Sequence, residues 1–251
     1  MLYGLYLSTA GAKAQSYKQD VVANNIANVD ATGFRRQFAS ARQRLDRLGE
    51  LGQGGPLSAS DPRRIGGGVH LYRTYNDLDT QGVIKPSSSP AHMAIAGEGF
   101  FRVRRGNDTY LTRDGAFSFG NDGSLRTSDG EGVLMSKDGV PFRLDPNLPF
   151  EVTPDNQISQ NGRPVGTIAV VRPTNVASVE RDGENLLRYD GRDQPTDSLV
   201  KQGFLEGSNV DPVREMTDLI EIARAFEINI QMIQLQSDGL SRLIDTLPRP
   251  A

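Results

Sequence analysis

Residues 211–248 read DPVREMTDLIEIARAFEINIQMIQLQSDGLSRLIDTLP, and their periodicity decides most of the architecture. Leu219, Ile222, Phe226, Asn229, Ile233, Gln236, Leu240, Leu243 and Leu247 follow alternating steps of three and four, and seven of these nine are large and apolar. That spacing lays one apolar stripe along an α-helix. Asp211 is a capping residue type, Pro212 suits the first helical position and Pro248 stops the run, which predicts one helix of about 52 Å at 1.5 Å per residue.

A second long helix is predicted at the other end. From Leu5 to Asn28 there is no proline and Gly11 is the only glycine. Its stripe, Leu2, Leu5, Thr9, Ala12, Ser16, Gln19, Ala23 and Ile26, is narrow and small-sided, so this helix needs a partner. Asn24, Asn25 and Asn28, followed by Gly33, supply its C-terminal punctuation.

Between the helices the period changes to two. Phe100–Arg104, Thr109–Thr112, Ala116–Phe119 and Thr167–Val171 are short β-prone runs. Asn121-Asp122-Gly123, Ser128-Asp129-Gly130 and Lys137-Asp138-Gly139 provide the positive-φ corners that antiparallel hairpins demand. The expected fold is therefore α+β: long terminal helices paired as a coiled-coil-like stem, with a central, mainly antiparallel β domain. The expected divisions are 1–33 for the first helix, 34–68 for a basic irregular connector, 69–206 for the β domain and 207–251 for the last helix.

Charge supports contacts between copies. The stretch 34–64 holds seven arginines against three carboxylates, whereas 204–251 holds four arginines against eight carboxylates. Arg35, Arg36, Arg42, Arg44 and Arg47 are accordingly expected to face acidic partner surfaces such as Glu215, Asp218 or Glu221 of a neighbour.

Composition excludes much else. With 28 Lys+Arg against 31 Asp+Glu the net charge is −3, which does not suit a nucleic-acid binder. No stretch approaches the roughly 20 apolar residues of a membrane span. Zero cysteines and two histidines leave no thiolate zinc site, Cys nucleophile or imidazole-rich metal site. Gly97-Glu98-Gly99 runs into a strand where a phosphate-binding helix would begin. The acidic turns from Asp114 to Asp138 do not match a calcium loop, and His70 and His92 lack a recognisable triad motif. Glu98, Asp114 and Glu131 offer carboxylates without a readable spacing. The expectation is a chain with no cofactor and no catalytic activity. Leu2 to Ala14 ends in small residues, but no basic residue precedes it and the apolar run stops by Ser8, so no cleaved signal peptide is expected.

Three segments together resemble the bacterial flagellar rod and hook proteins. Val22–Arg36 is similar to the family's A-N-N-[LI]-A-N-x-x-T-x-G-[FY]-[KR] signature, with Thr32 here directly before Gly33. Gly97-Glu98-Gly99-Phe100-Phe101 and Tyr110-Leu111-Thr112-Arg113-Asp114-Gly115-Ala116-Phe117 resemble its central strands. Glu206-Gly207-Ser208-Asn209-Val210 and Arg224-Ala225-Phe226-Glu227-Ile228-Asn229 resemble its C-terminal E-x-S-N-V and R-A-[FY]-E-x-N.

The resemblance implies a structural rod subunit in the flagellar basal body, a homo-oligomer that also contacts other rod proteins. It implies terminal helices lining an inner tube, and passage through the flagellar type III export apparatus. The single β domain argues against a hook subunit, and the short start and modest connector favour a proximal rod position over a distal one. The residues expected to carry assembly are Leu5, Ala12, Asn24, Asn25, Asn28, Gly33, Phe34, Leu219, Ile222, Phe226, Ile233, Leu240 and Leu243. The competing reading is a secreted or surface β-domain adhesin with an oligomerising helical stem.

Overall fold

Both expected long helices form. The computed structural model describes residues 2–43, 69–183, 185–189 and 191–245. Helix α1 spans Leu2–Ala27 and helix α2 spans Pro212–Asp245. Pro212 opens α2, while Glu215 in its first turn and Arg242 in its last complement the helix dipole. The chain divides into two compact units, the first made of Met1–Ile26, Gln37–Tyr75 and Pro212–Ala251, the second of Ala27–Arg36 and Asn76–Asp211.

In the first unit the helices meet at points separated by whole heptads. A Cβ on Gly4 would lie 3.0 Å from the Gln236 side chain, and one on Gly11 would lie 2.6 Å from Asn229 Oδ1. Asn25 Nδ2 donates to Glu215 Oε2 at 3.1 Å. Residue numbers rise on one helix as they fall on the other, so the helices run antiparallel. Glycine, with no side chain of its own, leaves room for the partner's amides. The buried α1 residues are Ala12, Ala14, Val21, Val22 and Asn25, whereas Ser16 and Ala23 of the expected stripe are exposed. The buried line therefore includes Ala14, Val21, Val22 and Asn25, outside the expected series, and shares only Ala12 with it.

The connector departs from its expected irregularity at its start. Strand β1 (Gln37–Gln43) pairs with β2 (Val69–Asn76), and Tyr17 OH shares a hydrogen bond with Thr74 Oγ1. A distant strand supplies the ladder, which no local pattern announces. The remainder of the connector, with Arg44 and Arg47, lies outside the described residues.

The second unit is a mainly antiparallel β structure. Strands β3 (Ile84–Pro86) and β4 (Met93–Ala96) lead into β5 (Phe100–Arg105) and β6 (Asp108–Thr112), the hairpin at its centre. Short strands β7 (Ser118–Phe119), β8 (Leu125–Arg126) and β9 (Val133–Leu134) extend that sheet beyond β5. A separate meander joins β10 (Phe150–Val152), β11 (Gln157–Gln160) and β12 (Arg163–Thr167). Strand β13 (Val170–Pro173) pairs with β5, while β14 (Glu180–Arg181) and β15 (Leu186–Arg188) complete the edge beyond β6. Strand β16 (Asp193–Pro195) pairs with β13. Finally β17 (Leu199–Gln202) pairs with β4, and β18 (Phe204–Glu206) with β3, so the last strands close onto the first.

Alternation on β5 feeds two cores. Phe101 and Val103 join Phe117, Leu125, Leu134 and Ile158 on one face, and Phe100 joins Leu111, Val171 and Leu187 on the other. The Phe101 and Phe117 rings meet edge to face at 5.2 Å. The three expected corners form as read, with Gly123, Gly130 and Gly139 at φ 74°, 75° and 75°. Ala27–Arg36 groups with this unit.

Candidate functional site

Two constructions use the residues picked out by the sequence. The first lies on α2. Leu219, Ile222, Phe226, Ile233 and Leu240 are all half-buried, along one line. Leu243 is helical, but its side chain lies outside the described set. On α1, Leu5 is half-buried, Ala12 is buried and Asn24 is exposed. A second line on α2, Val213, Met216, Ile220, Ile228, Met232 and Leu235, is exposed, reaching 73% at Val213 and 66% at Leu235. Six large apolar residues exposed on one helix form an apolar strip that no described residue covers fully.

Asn25, at 0% exposure, does more than end a helix. Its Nδ2 donates to Gln37 O at 2.9 Å, and its Oδ1 accepts from Gln37 N at 2.9 Å. Asn28 lies just past the helix, its carbonyl accepting from Ala31 N at 3.2 Å in the turn that follows.

The second construction anchors that turn in the β unit. Gly33 adopts φ 66° and donates to Glu206 O at 2.8 Å, and a Cβ there would lie 2.3 Å from both Arg113 C and Asp114 N. Only glycine satisfies that backbone angle together with that approach. Phe34 is buried at 1%, with the Arg181 guanidinium 4.1 Å above its ring. The structure thus places Gly33 and Phe34 in the interior of the unit.

Arg35 and Arg113 converge on one carboxylate. Arg35 Nη2 lies 2.9 Å from Glu206 Oε1, and Arg113 Nη1 donates to Glu206 Oε2 at 2.8 Å. Gly82 N adds a bond to Oε1 at 3.0 Å. Arg113 Nη2 donates to Gly97 O at 2.6 Å, Arg35 Nη1 to Thr80 O, and both guanidinium groups approach the Phe100 ring. Burial pulls the Arg35 guanidinium down to about 10 against the opposing pull of Glu206, and lowers Arg113 for the same reason. Asn209 ties the neighbouring segments together: its Oδ1 accepts from Arg36 N at 2.6 Å, its Nδ2 donates to Thr80 O, and its N donates to Phe34 O.

This cluster corrects the expectation that Arg35 meets an acidic neighbour, since its side chain is 3% exposed and already paired. Glu215, offered as an acceptor on the neighbour, is itself fully buried beside Asn25. Sequence reading missed Glu206 as a keystone, although Arg35, Arg113 and Glu206 each fall inside a quoted motif.

The chemical candidates have structural occupations. Asp114 accepts from Thr32 Oγ1 at 2.7 Å, Ala116 N at 3.0 Å and Ser128 Oγ at 3.0 Å. Glu98 pairs with Arg172 and Glu131 with Arg105. His92 Nδ1 and Ser87 Oγ share a hydrogen bond at 2.7 Å. Among the described residues no group of three or more His, Cys, Asp or Glu is placed to hold a metal, and no helix is long and apolar enough to cross a membrane.

Comparison with known proteins matches three segments of the chain. The flagella basal body rod protein family model matches residues 5–35, the flagellar hook protein FlgE/F/G D1 domain matches 94–184, and the flagellar basal body rod FlgEFG protein C-terminal domain matches 201–246. The flagellar basal-body rod protein FlgF of Caulobacter vibrioides is 35% identical over 247 residues, covering 95% of this chain and 97% of the relative. FlgF of Mesorhizobium japonicum is 31% identical with 97% of each chain covered, and FlgG of Bacillus subtilis is 29% identical with 98% and 99% covered. The chain belongs to the flagellar basal-body rod protein family, whose members are structural proteins and not enzymes.

Proposed function

We propose that this protein is a structural subunit of the flagellar basal-body rod, polymerising through its terminal helices and passing torque from motor to hook. The exposed apolar strip on α2, from Val213 to Leu235, carries this reading. In a monomer such a strip costs solubility, whereas in a helical assembly it is covered by the same strip's neighbours on adjoining copies. The contacts of Gly4 with Gln236 and Gly11 with Asn229 support a coiled-coil-like stem, because they repeat at the heptad interval. Leu219, Ile222, Phe226, Ile233, Leu240 and Leu243, with Leu5, Ala12 and Asn24, form the packing surface of that stem. Asn25, Asn28, Gly33 and Phe34 set where the chain leaves the helix.

The subunit contacts copies of itself and other rod proteins, sits in the periplasmic rod, and arrives through the flagellar type III export apparatus. The proximal rod is the favoured position over the distal rod. Mass spectrometry of purified hook-basal bodies tests the reading. A few copies per particle is the expected result, and a few tens would move the subunit to the distal rod. Absence from the particles, with the protein at the cell surface, would replace the reading with the adhesin.

A further inference from the structure

Three arginines of the β unit are largely withdrawn from water, and they are not treated alike. Arg35 and Arg113 share Glu206. Arg181 has no carboxylate partner among the described residues: its Nη2 donates to Arg35 O at 2.8 Å, its plane lies 4.1 Å above Phe34, and its buried Nε has no hydrogen-bond partner. Burial alone, with no opposing anion, pulls it down to about 10. A desolvated cation normally finds an anion, because the loss of hydration is otherwise uncompensated. Arg181 also sits on β14, the terminal strand of its sheet, and remains half-buried rather than sealed. A group approaching from outside can therefore reach it.

The complementary groups are on the same chain. Glu221 and Glu227 of α2 are exposed, and neither forms an ion pair among the described residues. Among the described residues, every copy thus carries a largely buried cation without an anion, and a helix with exposed carboxylates that form no ion pair. A contact joining different patches of two copies is the head-to-tail kind that propagates along a filament. The guanidinium fork suits a carboxylate, which it grips through two parallel N–H donors.

We propose that Arg181 is a docking residue that receives a carboxylate of α2, Glu221 or Glu227, from a second copy of this chain. This rests on the assembly reading above and adds to it a contact between the β unit of one copy and the helix of the next. A plain packing role over Phe34 is the competing account, and the two predict opposite outcomes for one substitution. Arg181→Met keeps the length and the contact with the ring while removing the charge. If Arg181 waits for a partner, the purified monomer unfolds at an unchanged or higher denaturant midpoint, while incorporation into basal bodies falls by at least about tenfold.

Charge exchange then identifies the occupant. Arg181→Glu abolishes incorporation, and Glu221→Arg or Glu227→Arg in the same chain restores it. A photo-crosslinking residue at position 181 of the concentrated purified chain attaches to the α2 peptide of another copy. The proposal is overturned if Arg181→Met lowers the monomer midpoint, if it incorporates as well as the wild type, if neither exchange restores assembly, or if the cross-link falls within one copy. A tagged wild-type chain absent from basal bodies would instead remove the functional reading, and the cross-link on the purified chain would still decide the role of Arg181.

Discussion

The Asn25 side chain makes both hydrogen bonds of a strand neighbour with the backbone of Gln37, giving through Nδ2 and accepting through Oδ1, each at 2.9 Å. A helix side chain thereby occupies the position of a missing strand at the start of β1. The same Nδ2 reaches Glu215, so one residue joins α1, α2 and the strand. Asn25→Ala removes all three bonds, two to the half-buried backbone of Gln37 and one to the buried Glu215 carboxylate, a loss of about 2–4 kcal/mol. Denaturant unfolding followed by far-ultraviolet circular dichroism is expected to show it.

Gly33 and Gly139 have similar backbone angles, φ 66° and 75°, in different surroundings. A Cβ on Gly33 would overlap the Arg113–Asp114 peptide, whereas one on Gly139 meets nothing within 4 Å. Gly139→Ala is expected to cost about 1 kcal/mol, the strain of the left-handed conformation. Gly33→Ala adds the overlap, and its cost is expected to exceed that by several-fold, because Ala27–Arg36 must lift from the unit. Equal midpoints for the two variants in urea titrations would show that the approach at Gly33 is relieved without loss.

Legibility followed distance along the chain. The three-four spacing from Leu219 to Leu240 and the Asp-Gly corners at 123, 130 and 139 are local signals, and the structure contains the corresponding helix and turns. Glu206 and Arg35 are separated by most of the chain, and each reads locally as an ordinary charged residue. Nothing in periodicity distinguishes a carboxylate destined for 1% exposure from one on the surface. The same blindness placed Arg35 with the surface cations, and it hid Asn25 and Gln37 from each other behind a change of element. The available signal was that Arg35, Arg113 and Glu206 each fall within one of the family-like segments.

Glu206→Gln tests the keystone. The amide retains most of the shape but withdraws the charge that faces two guanidinium groups. Removal of one partner from a buried ionic cluster typically costs about 3–5 kcal/mol. The β unit is therefore expected to unfold at markedly lower denaturant, with faster proteolysis between Ala27 and Arg36. A midpoint within error of the wild type would mean that the carbonyls of Thr80, Ile95 and Gly97 suffice to hold the arginines.

Acid provides a separate probe at Asp122. Hydrogen bonds from the Ser124 side chain and backbone, then from Arg126, lower its carboxyl from 3.8 to about 2. The folded group is the stronger acid, so its contribution is complete above the unfolded value near 3.8 and disappears as pH falls through about 2. Asp122→Asn should lessen the acid dependence of stability between those values. Carboxyl titration by nuclear magnetic resonance locates the folded value directly, and a midpoint at or above 3.8 would show that the turn does not hold its bonds in solution.

Phe226 separates folding from assembly. Its ring is only half-buried in the chain by itself. Phe226→Ala therefore removes partial burial from the monomer, and the loss expected there is well below the roughly 3–5 kcal/mol of a fully buried phenylalanine. In a rod the neighbouring helices would complete that burial, and the deficit would recur in every subunit of a repeating lattice. The expected pattern is a monomer with nearly normal helix content and denaturant midpoint that fails to appear in purified basal bodies. Exposed Gln231→Ala on the same helix serves as the control and is expected to incorporate normally. Normal incorporation of Phe226→Ala would place the interhelical packing on another face of α2, with the strip from Val213 to Leu235 as the remaining candidate.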